Sequence, residues 1–360
     1  MRSTAALVLC LWCSAACGGD DAVGSVDSGA GDAATDGGEV AWAEVDELVT
    51  TTLAANGDPP AALVVYDASD RVVYQRAWHG FTTDRRVAVA SASKLVSGLV
   101  LFEVIRTGVL TLDSTTGGVL GWTGPTAAIT LRQLLSFTSG LAREHPCTAQ
   151  AGVTLAACVD AIATVAPVAA PGTRFDYGST HLQVAARMAE VRTGQGWDAL
   201  YREVLADRLG LAPEATYFTA PRQAFGQLNP LVAGGLRASM DEYARLLALA
   251  FHRGVTTPLT IGTPALFDAQ ASEPYPDAVI GQSPVAGHGL PYHYGLAAWL
   301  ECAPPATACP VLSSPGAFGF TPWLDRATGY YAILGMELDG TPGDGIVNFA
   351  VTLEQALRPL

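Results

Sequence analysis

Ser91 and Lys94 are the residues of this sequence whose chemical types and spacing best suit covalent catalysis. They are three positions apart at the predicted start of a helix, so their side chains share one helical face. A serine hydroxyl becomes a strong nucleophile only when a neighbouring group takes its proton. A buried lysine can take that proton because burial favours its neutral amine, whereas an arginine stays protonated. The pair therefore predicts a nucleophilic serine that a lysine activates.

The setting of this pair adds to the interpretation. Lys94 is the only lysine among the 20 basic residues of the chain, which favours a chemical role for it. The N–H groups at the start of the helix would also stabilise negative charge that develops on a reacting oxygen. The alternative is that Ser91 caps the helix and Lys94 lies on its surface, because Ser-x-x-Lys alone is a weak motif.

The elements that position the pair are predicted from hydrophobic periodicity. The helix that begins near Ser91 is expected to stop at Gly108, and a mostly helical region follows it. Strands come before and after this region, which indicates one sheet built from both chain ends with a helical insert as a second lobe. The predicted elements are a helix at 41–55, strands at 61–67 and 71–78, the helical region at about 110–285, strands at 294–301, 317–324 and 329–338, and a helix at 348–360.

Other kinds of site have less support. No Gly-x-Ser-x-Gly turn occurs, which disfavours a Ser-His-Asp hydrolase. His181 is expected on the helix after Tyr177, and His288 and His293 are expected to be solvated or hydrogen-bonded structural residues. The sequence contains no His-Glu-x-x-His motif and no phosphate-binding loop, so we expect neither a metal nor a cofactor. The net charge of −14 argues against a nucleic-acid partner, which normally meets a basic patch.

Residues 1–17 are predicted to form an export signal. Their apolar run is too short to span a bilayer, and it ends in Ser-Ala-Ala-Cys. This ending resembles a bacterial lipoprotein signal in which Cys17 carries the lipid; an ordinary secretory peptide cleaved nearby is the alternative. Residues 18–39 are rich in Gly, Ala and Asp and predict a flexible linker to a folded domain at 40–360. The predicted location is the periplasmic face of a bacterial membrane, or outside the cell if the peptide is simply cleaved.

Four cysteines lie outside this leader and form two close pairs in sequence, Cys147 with Cys158 and Cys302 with Cys309. Four cysteines allow three disulfide connectivities, and the sequence alone does not choose between them. Pairing within each close pair is the simplest arrangement in an oxidising compartment. Their spacings lack Cys-x-x-Cys, which disfavours a metal site.

Longer phrases of the chain resemble the serine β-lactamases, penicillin-binding proteins and related esterases, and in particular the class C-like serine hydrolases. The resemblance covers roughly 45–360 and keeps the order expected for that superfamily. It implies an α+β fold in which an antiparallel sheet from both chain ends is flanked by the terminal helices and carries an inserted, mostly helical domain. The phrases that carry it are 91–114, 129–141, 170–211, 229–249 and 313–334.

The same resemblance implies roles for individual residues. Ser91 would be acylated, Lys94 would accept its proton, and Tyr177 would move a proton between the nucleophile, the leaving group and the attacking water. A phenol suits that task only if a positive charge such as that of Lys94 lowers its pKa. The backbone N–H groups of Ser91 and Ala317 would form the oxyanion hole, with Ala317 on an edge strand. The implied partner is a small-molecule or peptide-like acyl substrate, and a monomer is expected.

The chain departs from the pattern of the superfamily at three places. Ser179 stands where Tyr-x-Asn has its asparagine, and Ser314 begins a Ser-Pro-Gly ending at Gly316 where Lys-Thr-Gly or His-x-Gly is usual. Phe137 occupies a common histidine position. We expect Ser179, Ser314 and Gly316 to contact substrate, and the missing cation favours an ester or amide over a β-lactam. The alternatives are a weak or inactive penicillin-binding-like protein with a binding or structural role, and a D,D-peptidase or β-lactamase proper.

Overall fold

The structure, a computed structural model, describes residues 38–339 except 258, 287–289, 291 and 292, together with residues 349–358. The predicted leader at 1–17, the lipid site at Cys17, most of the linker at 18–39, and His288 lie outside the described residues. The helices are α1 (Gly38–Ala55), α2 (Ser93–Arg106), α3 (Thr116–Leu120), α4 (Leu131–Leu135), α5 (Leu155–Ala163), α6 (Thr180–Thr193), α7 (Trp197–Tyr201), α8 (Met240–Phe251), α9 (Pro264–Gln270) and α10 (Phe349–Leu357).

The strands form one large antiparallel sheet and two small pairs. The large sheet has seven strands in the order β2-β1-β11-β10-β9-β8-β7, so the N-terminal hairpin lies directly beside the last strand. The predicted antiparallel sheet built from both chain ends is therefore confirmed. The strands are β1 (Ala61–Asp67), β2 (Val72–Trp78), β3 (Val87–Ala88), β4 (Arg174–Asp176), β5 (Arg237–Ala238), β6 (Val279–Gln282), β7 (His293–Tyr294), β8 (Trp299–Leu300), β9 (Val311–Ser313), β10 (Thr321–Asp325) and β11 (Tyr330–Met336).

The two faces of this sheet bury different sets of side chains because successive strand residues point to opposite faces. On β1, Ala62 and Val64 belong to the main core, which also contains the apolar face of α2. Leu63 faces the other way, into a second core formed with α1 and α10. The residues of the second core include Val45, Val49, Leu53, Leu334, Met336, Leu353 and Leu357.

The region between Gly108 and β7 is mostly helical, as predicted, and holds α3 to α9. Short strand pairs connect this region to the preceding segment and also connect parts of the region with each other. β3 and β5 pair through Val87 and Ala238, and β4 and β6 run parallel. None of the helices in the described part of the chain is long and apolar enough to cross a membrane.

The C-terminal strands differ from the prediction in one instructive way. The apolar run 294–301 is not one strand but a tight hairpin of β7 and β8, with a turn at Ala297, whose φ is 58°. The run contains no turn residue after Gly295, and both of its faces are buried, so periodicity could not reveal the turn. The hairpin matters because it carries Tyr294 and Trp299 towards the candidate site.

Both predicted disulfides are confirmed. Cys147 is bonded to Cys158 on α5, and Cys302 is bonded to Cys309 just before β9. Each bridge closes a short loop of the chain. Disulfides of this kind are typical of proteins that fold in an oxidising compartment, which favours an exported protein.

Candidate active site

Ser91 lies in a short 3₁₀ turn, Ala90–Ala92, that joins β3 to α2. The prediction placed the helix start near Ser91, whereas regular α-helix begins at Ser93. Ala90 has φ 47°, a left-handed conformation that costs a non-glycine residue roughly 1–2 kcal/mol. The Ser93 hydroxyl holds this turn, since it donates to the Ala90 carbonyl at 2.6 Å and accepts from the Leu236 N–H at 3.0 Å. Ser91, the candidate nucleophile, therefore lies in a conformation that its neighbours enforce.

Lys94 lies one turn along and points back at the serine. Its Nζ donates to Ser91 Oγ at 2.9 Å and to the Ala233 carbonyl at 2.8 Å. The side chain is 3% exposed. Burial lowers the pKa of Lys94 to about 7, and the Glu144 carboxylate opposes this shift. A large fraction of Lys94 is therefore neutral near pH 7, and a neutral amine has a lone pair that can accept the Ser91 proton.

Tyr177 follows β4 and is fixed by its backbone, because its N–H donates to the Gln282 carbonyl at 2.8 Å. The Lys94 Nζ lies over its ring, 4.6 Å from the centroid. Burial raises the pKa of the Tyr177 phenol well above its usual value, and hydrogen bonding with Ser91 only partly opposes this. The lowered pKa that a positive charge such as that of Lys94 would give is therefore not found, because burial dominates. Tyr177 is thus a neutral O–H group beside the nucleophile rather than a ready phenolate.

An aromatic cluster holds Tyr177 in place. Its ring stacks on Trp299 with centroids 4.9 Å apart and meets the edge of Phe137 at 5.4 Å. Phe137 in turn stacks on Tyr294 at 4.6 Å. Tyr294 and Trp299 belong to the β7–β8 hairpin, which explains why sequence analysis did not associate them with the site.

His181 is a structural residue on α6, as expected. It is fully buried, and its ring nitrogens contact Ser139 Oγ and the Asp176 carbonyl, each at 2.8 Å. Burial lowers its pKa to about 4, so it stays neutral. His293 contacts Glu273 at 2.6 Å and lines a depression together with Phe175 and Tyr294.

Ser179 lies at the N-terminus of α6, two positions after Tyr177, and contacts a residue that sequence analysis missed. The Glu144 carboxylate accepts hydrogen bonds from the Ser179 N–H at 3.1 Å and its hydroxyl at 3.4 Å. Between Tyr177 and Ser179 the chain requires Gly178, because a Cβ at that position would lie 2.1 Å from the Arg143 carbonyl. Glu144 is exposed in the structure, and no motif or spacing in the sequence distinguishes it from other glutamates.

Ser314 and Gly316 lie on the other side of Ser91, in the segment between β9 and β10. The Ser314 hydroxyl donates to the Ser91 carbonyl at 3.0 Å and is buried, so it supports the nucleophile instead of facing solvent. A Cβ on Gly316 would lie 2.2 Å from the Val89 carbonyl, so only glycine fits there. The Gly316 N–H is occupied, since it donates to the Phe320 carbonyl at 2.8 Å.

Ala317 is the predicted second oxyanion donor. It lies in the turn between β9 and β10 rather than on an edge strand, because β8 and β7 extend the sheet beyond β9. Within the described part of the chain, its N–H donates to no other backbone group. Neighbouring Gly316 packs on the Val89 carbonyl, two positions before Ser91, so the turn that carries Ala317 adjoins the turn that carries Ser91.

Among the described residues, no group of three or more His, Cys, Asp or Glu side chains is arranged to hold a metal ion. The chemistry that these residues support is proton transfer and nucleophilic attack.

Comparison with known sequences identifies the family. A sequence profile of the Beta-lactamase family matches residues 45–356, which is most of the chain. Penicillin-binding protein 4 of Amycolatopsis lactamdurans is 32% identical over 170 residues, which make up 44% of this chain and 45% of that protein. The match thus spans less than half the length of this curated relative.

Solved structures agree with this assignment at the level of the fold. A structure from Bacteroides dorei, provisionally named a β-lactamase, is 27% identical with a TM-score of 0.76 and covers 89% of this chain and 98% of its own. EstCE1, named as a hydrolase with promiscuous acyltransferase activity, is 17% identical with a TM-score of 0.67 over 88% and 99%. Unliganded simvastatin synthase from Aspergillus terreus is 17% identical with a TM-score of 0.62 over 88% and 99%. The chain belongs to the β-lactamase family.

Proposed function

We propose that this protein is a serine hydrolase that forms an acyl-enzyme on Ser91 and acts on an ester or amide. The observation that carries the proposal is the 2.9 Å contact between Lys94 Nζ and Ser91 Oγ at a buried site. Burial lowers the pKa of Lys94 to about 7, which suits a group that must accept and return a proton near neutral pH.

Acylation follows from this geometry. Ser91 Oγ attacks the substrate carbonyl carbon while its proton passes to the neutral amine of Lys94. The carbonyl oxygen becomes an oxyanion that the N–H groups of Ser91 and Ala317 would stabilise. When the bond to the leaving group breaks, the neutral phenol of Tyr177 gives its proton to that group and regains one from the Lys94 ammonium. The products are the acyl-enzyme and the free alcohol or amine.

Deacylation uses the same groups in reverse. Water attacks the acyl carbon, its proton passes through Tyr177 to Lys94, and the bond between the carbonyl carbon and Ser91 Oγ breaks. Ser91 recovers its proton from Lys94, and the carboxylic acid leaves. Since burial keeps the Tyr177 phenol neutral, it can act as a donor in one direction and an acceptor in the other without carrying a charge for long.

The site favours an ester or amide over a β-lactam or a D,D-peptide. The name of one relative, penicillin-binding protein 4, is instead that of a protein that binds a β-lactam. However, Ser314 replaces the cation that would bind a substrate carboxylate, and its hydroxyl is already bonded to the Ser91 carbonyl. EstCE1, whose name describes a hydrolase with acyltransferase activity, shares the fold.

The test is hydrolysis of p-nitrophenyl butyrate by the purified protein and by its Ser91→Ala variant. We expect release of p-nitrophenol to fall to the rate of an enzyme-free blank in the variant. Ser69→Ala, in the turn between β1 and β2, is the matched control and should keep full activity. Equal rates in the wild type and Ser91→Ala would contradict the proposal.

We also propose that the protein is exported and carries a lipid on Cys17. The two disulfides and the likeness to a penicillin-binding protein support export. After expression in a bacterial host, the mass of the mature protein should include a lipid that is absent from the Cys17→Ala variant. A mass equal to that of the unmodified cleaved chain would exclude lipidation.

A further inference from the structure

Glu144 places a negative charge beside the reacting groups. Its carboxylate accepts from the Ser179 N–H at 3.1 Å, and Ser179 is two positions from Tyr177. The Tyr177 ring lies under the Lys94 Nζ, which contacts Ser91 Oγ. The hydrogen bond to Ser179 therefore holds the Glu144 carboxylate near the segment that carries Tyr177, whose ring packs against Lys94. The carboxylate also raises the pKa of both Lys94 and Tyr177, so its field reaches the two groups that move protons.

This charge is open to solvent and is not neutralised. Glu144 is exposed, and within the described residues it forms no ion pair, not even with the adjacent exposed Arg143. The contacts that Ser179 supplies hold the carboxylate but leave its charge in place. A cation that approaches from solvent can therefore reach this carboxylate.

Among the described residues on the opposite side of the site, neither Ser314 nor Arg222 supplies a free cation. There Ser314 is neutral and bonded to the Ser91 carbonyl. Arg222 lies over the ring of Phe318, next to Ala317, but its guanidinium pairs with Asp339 at 2.9 Å. The net charge of −14 for the whole chain adds to the attraction of cations and the repulsion of anions.

We propose that Glu144 selects substrates that carry a positive charge close to the reacting carbonyl, so that a cationic ester or amide is preferred over its neutral isostere. This inference depends on the acyl-enzyme function proposed above and adds the charge class of the substrate. A cationic substrate that reaches Glu144 would form a direct ion pair at the edge of the site, and this ion pair would offset part of the hydration that the substrate loses. An anionic substrate would be repelled there.

The experiment compares isosteric esters that differ only in one charge. In the first pair the charge lies in the leaving group: cationic butyrylthiocholine is compared with its neutral isostere, S-(3,3-dimethylbutyl) thiobutyrate. The p-nitrophenyl esters of 4-(trimethylammonio)butanoate and 5,5-dimethylhexanoate place it in the acyl group. We would measure kcat/KM for each pair with the purified wild type, Glu144→Gln and the control Glu47→Gln, an exposed glutamate on α1 beside the second core.

In at least one pair, we expect the wild type to prefer the cationic ester by about five- to tenfold at low salt, and added salt to reduce this ratio. Glu144→Gln should bring the ratio close to one, while Glu47→Gln should keep it. Ratios at or below one in both pairs for the wild type, or an unchanged preference in Glu144→Gln, would overturn the inference. In that case Ser91-dependent hydrolysis of the neutral esters would leave the proposed function intact. Hydrolysis of none of the four esters would overturn both.

Discussion

Lys94 and Tyr177 experience the same burial, and it acts on them in opposite directions. Burial disfavours the charged form of any group, so it lowers the pKa of an amine and raises that of a phenol. The pKa of Lys94 falls to about 7, and that of Tyr177 rises well above its usual value. Near pH 7 the Tyr177 phenol is therefore neutral, and Lys94 is divided between its amine and its ammonium form. At the scale of single residues, this supports the proposed roles of Lys94 as base and Tyr177 as neutral relay.

Lys94→Arg tests the role of proton acceptor. Arginine keeps the positive charge but cannot become neutral in a protein. We therefore expect kcat/KM for p-nitrophenyl butyrate to fall by about 100- to 10,000-fold, the usual range for loss of a general base. Lys94→Met, which lacks both the charge and the proton acceptor, is the matched variant and should lose as much. If the arginine variant stays active while the methionine variant does not, Lys94 supplies only charge.

The pH dependence of the reaction tests the same residue without altering it. Since only neutral Lys94 can accept a proton, kcat/KM for a neutral ester should rise with pH and level off above a midpoint of about 7. The Glu144 carboxylate favours the ammonium form, so Glu144→Gln should move this midpoint to lower pH. Glu47→Gln should leave it in place. A midpoint that Glu144→Gln moves upward would contradict the assigned electrostatics.

At the scale of elements, two turns carry the chemistry. One is the 3₁₀ turn that presents Ser91, and the other is the segment between β9 and β10 that holds Ser314 and Ala317. They are joined where Gly316 packs on the Val89 carbonyl and where the Ser314 hydroxyl bonds to the Ser91 carbonyl. The position of the candidate oxyanion donor thus depends on the fit between these turns.

Gly316→Ala tests that fit. The added Cβ would lie 2.2 Å from the Val89 carbonyl, so one of the turns must move. We expect the free energy of unfolding to fall by about 1–3 kcal/mol and kcat/KM to fall as Ala317 shifts from Ser91. Chemical denaturation and ester hydrolysis measure the two effects.

Gly152→Ala is the control for this substitution, because a Cβ at Gly152 would meet no atom within 4 Å. It should change neither stability nor activity appreciably. If Gly316→Ala behaves like Gly152→Ala, the two turns do not constrain each other.

At the scale of the whole molecule, the sheet separates the site from the packing that closes the chain. The residues of the candidate active site adjoin the main core, whereas α1 and α10 cover the other face through the second core. Strand β11 contributes to both cores, because successive residues such as Ile333 and Leu334 point to opposite faces of the sheet. Stability can therefore be changed on one face without touching the chemistry on the other.

Leu353→Ala tests this separation. Leu353 is 2% exposed in the second core, and truncating a buried leucine costs about 2–5 kcal/mol. We expect a lower unfolding temperature but an unchanged kcat/KM at temperatures where the variant is fully folded. A large loss of kcat/KM in the folded variant would mean that the two faces are coupled.

The sequence by itself determined the features that depend on local spacing. The three-residue separation of Ser91 and Lys94 on a helix already placed amine and hydroxyl together, and the structure puts them 2.9 Å apart. Runs rich in β-forming residues predicted β1, β2 and β11. The close spacing within each pair of cysteines favoured the two disulfides that the structure shows, although it left the other connectivities open. These features follow from contacts between residues close in the chain, which periodicity and spacing can reveal.

Only the tertiary structure decided the rest. Glu144 and Ser179 are 35 positions apart, and the fold alone brings them into contact. The turn at Ala297 depends on burial of both faces of its run, and the pKa shift of Tyr177 depends on the aromatic side chains packed around it. Desolvation and long-range contact are properties of the packed molecule, because each depends on which distant segments exclude water from a residue.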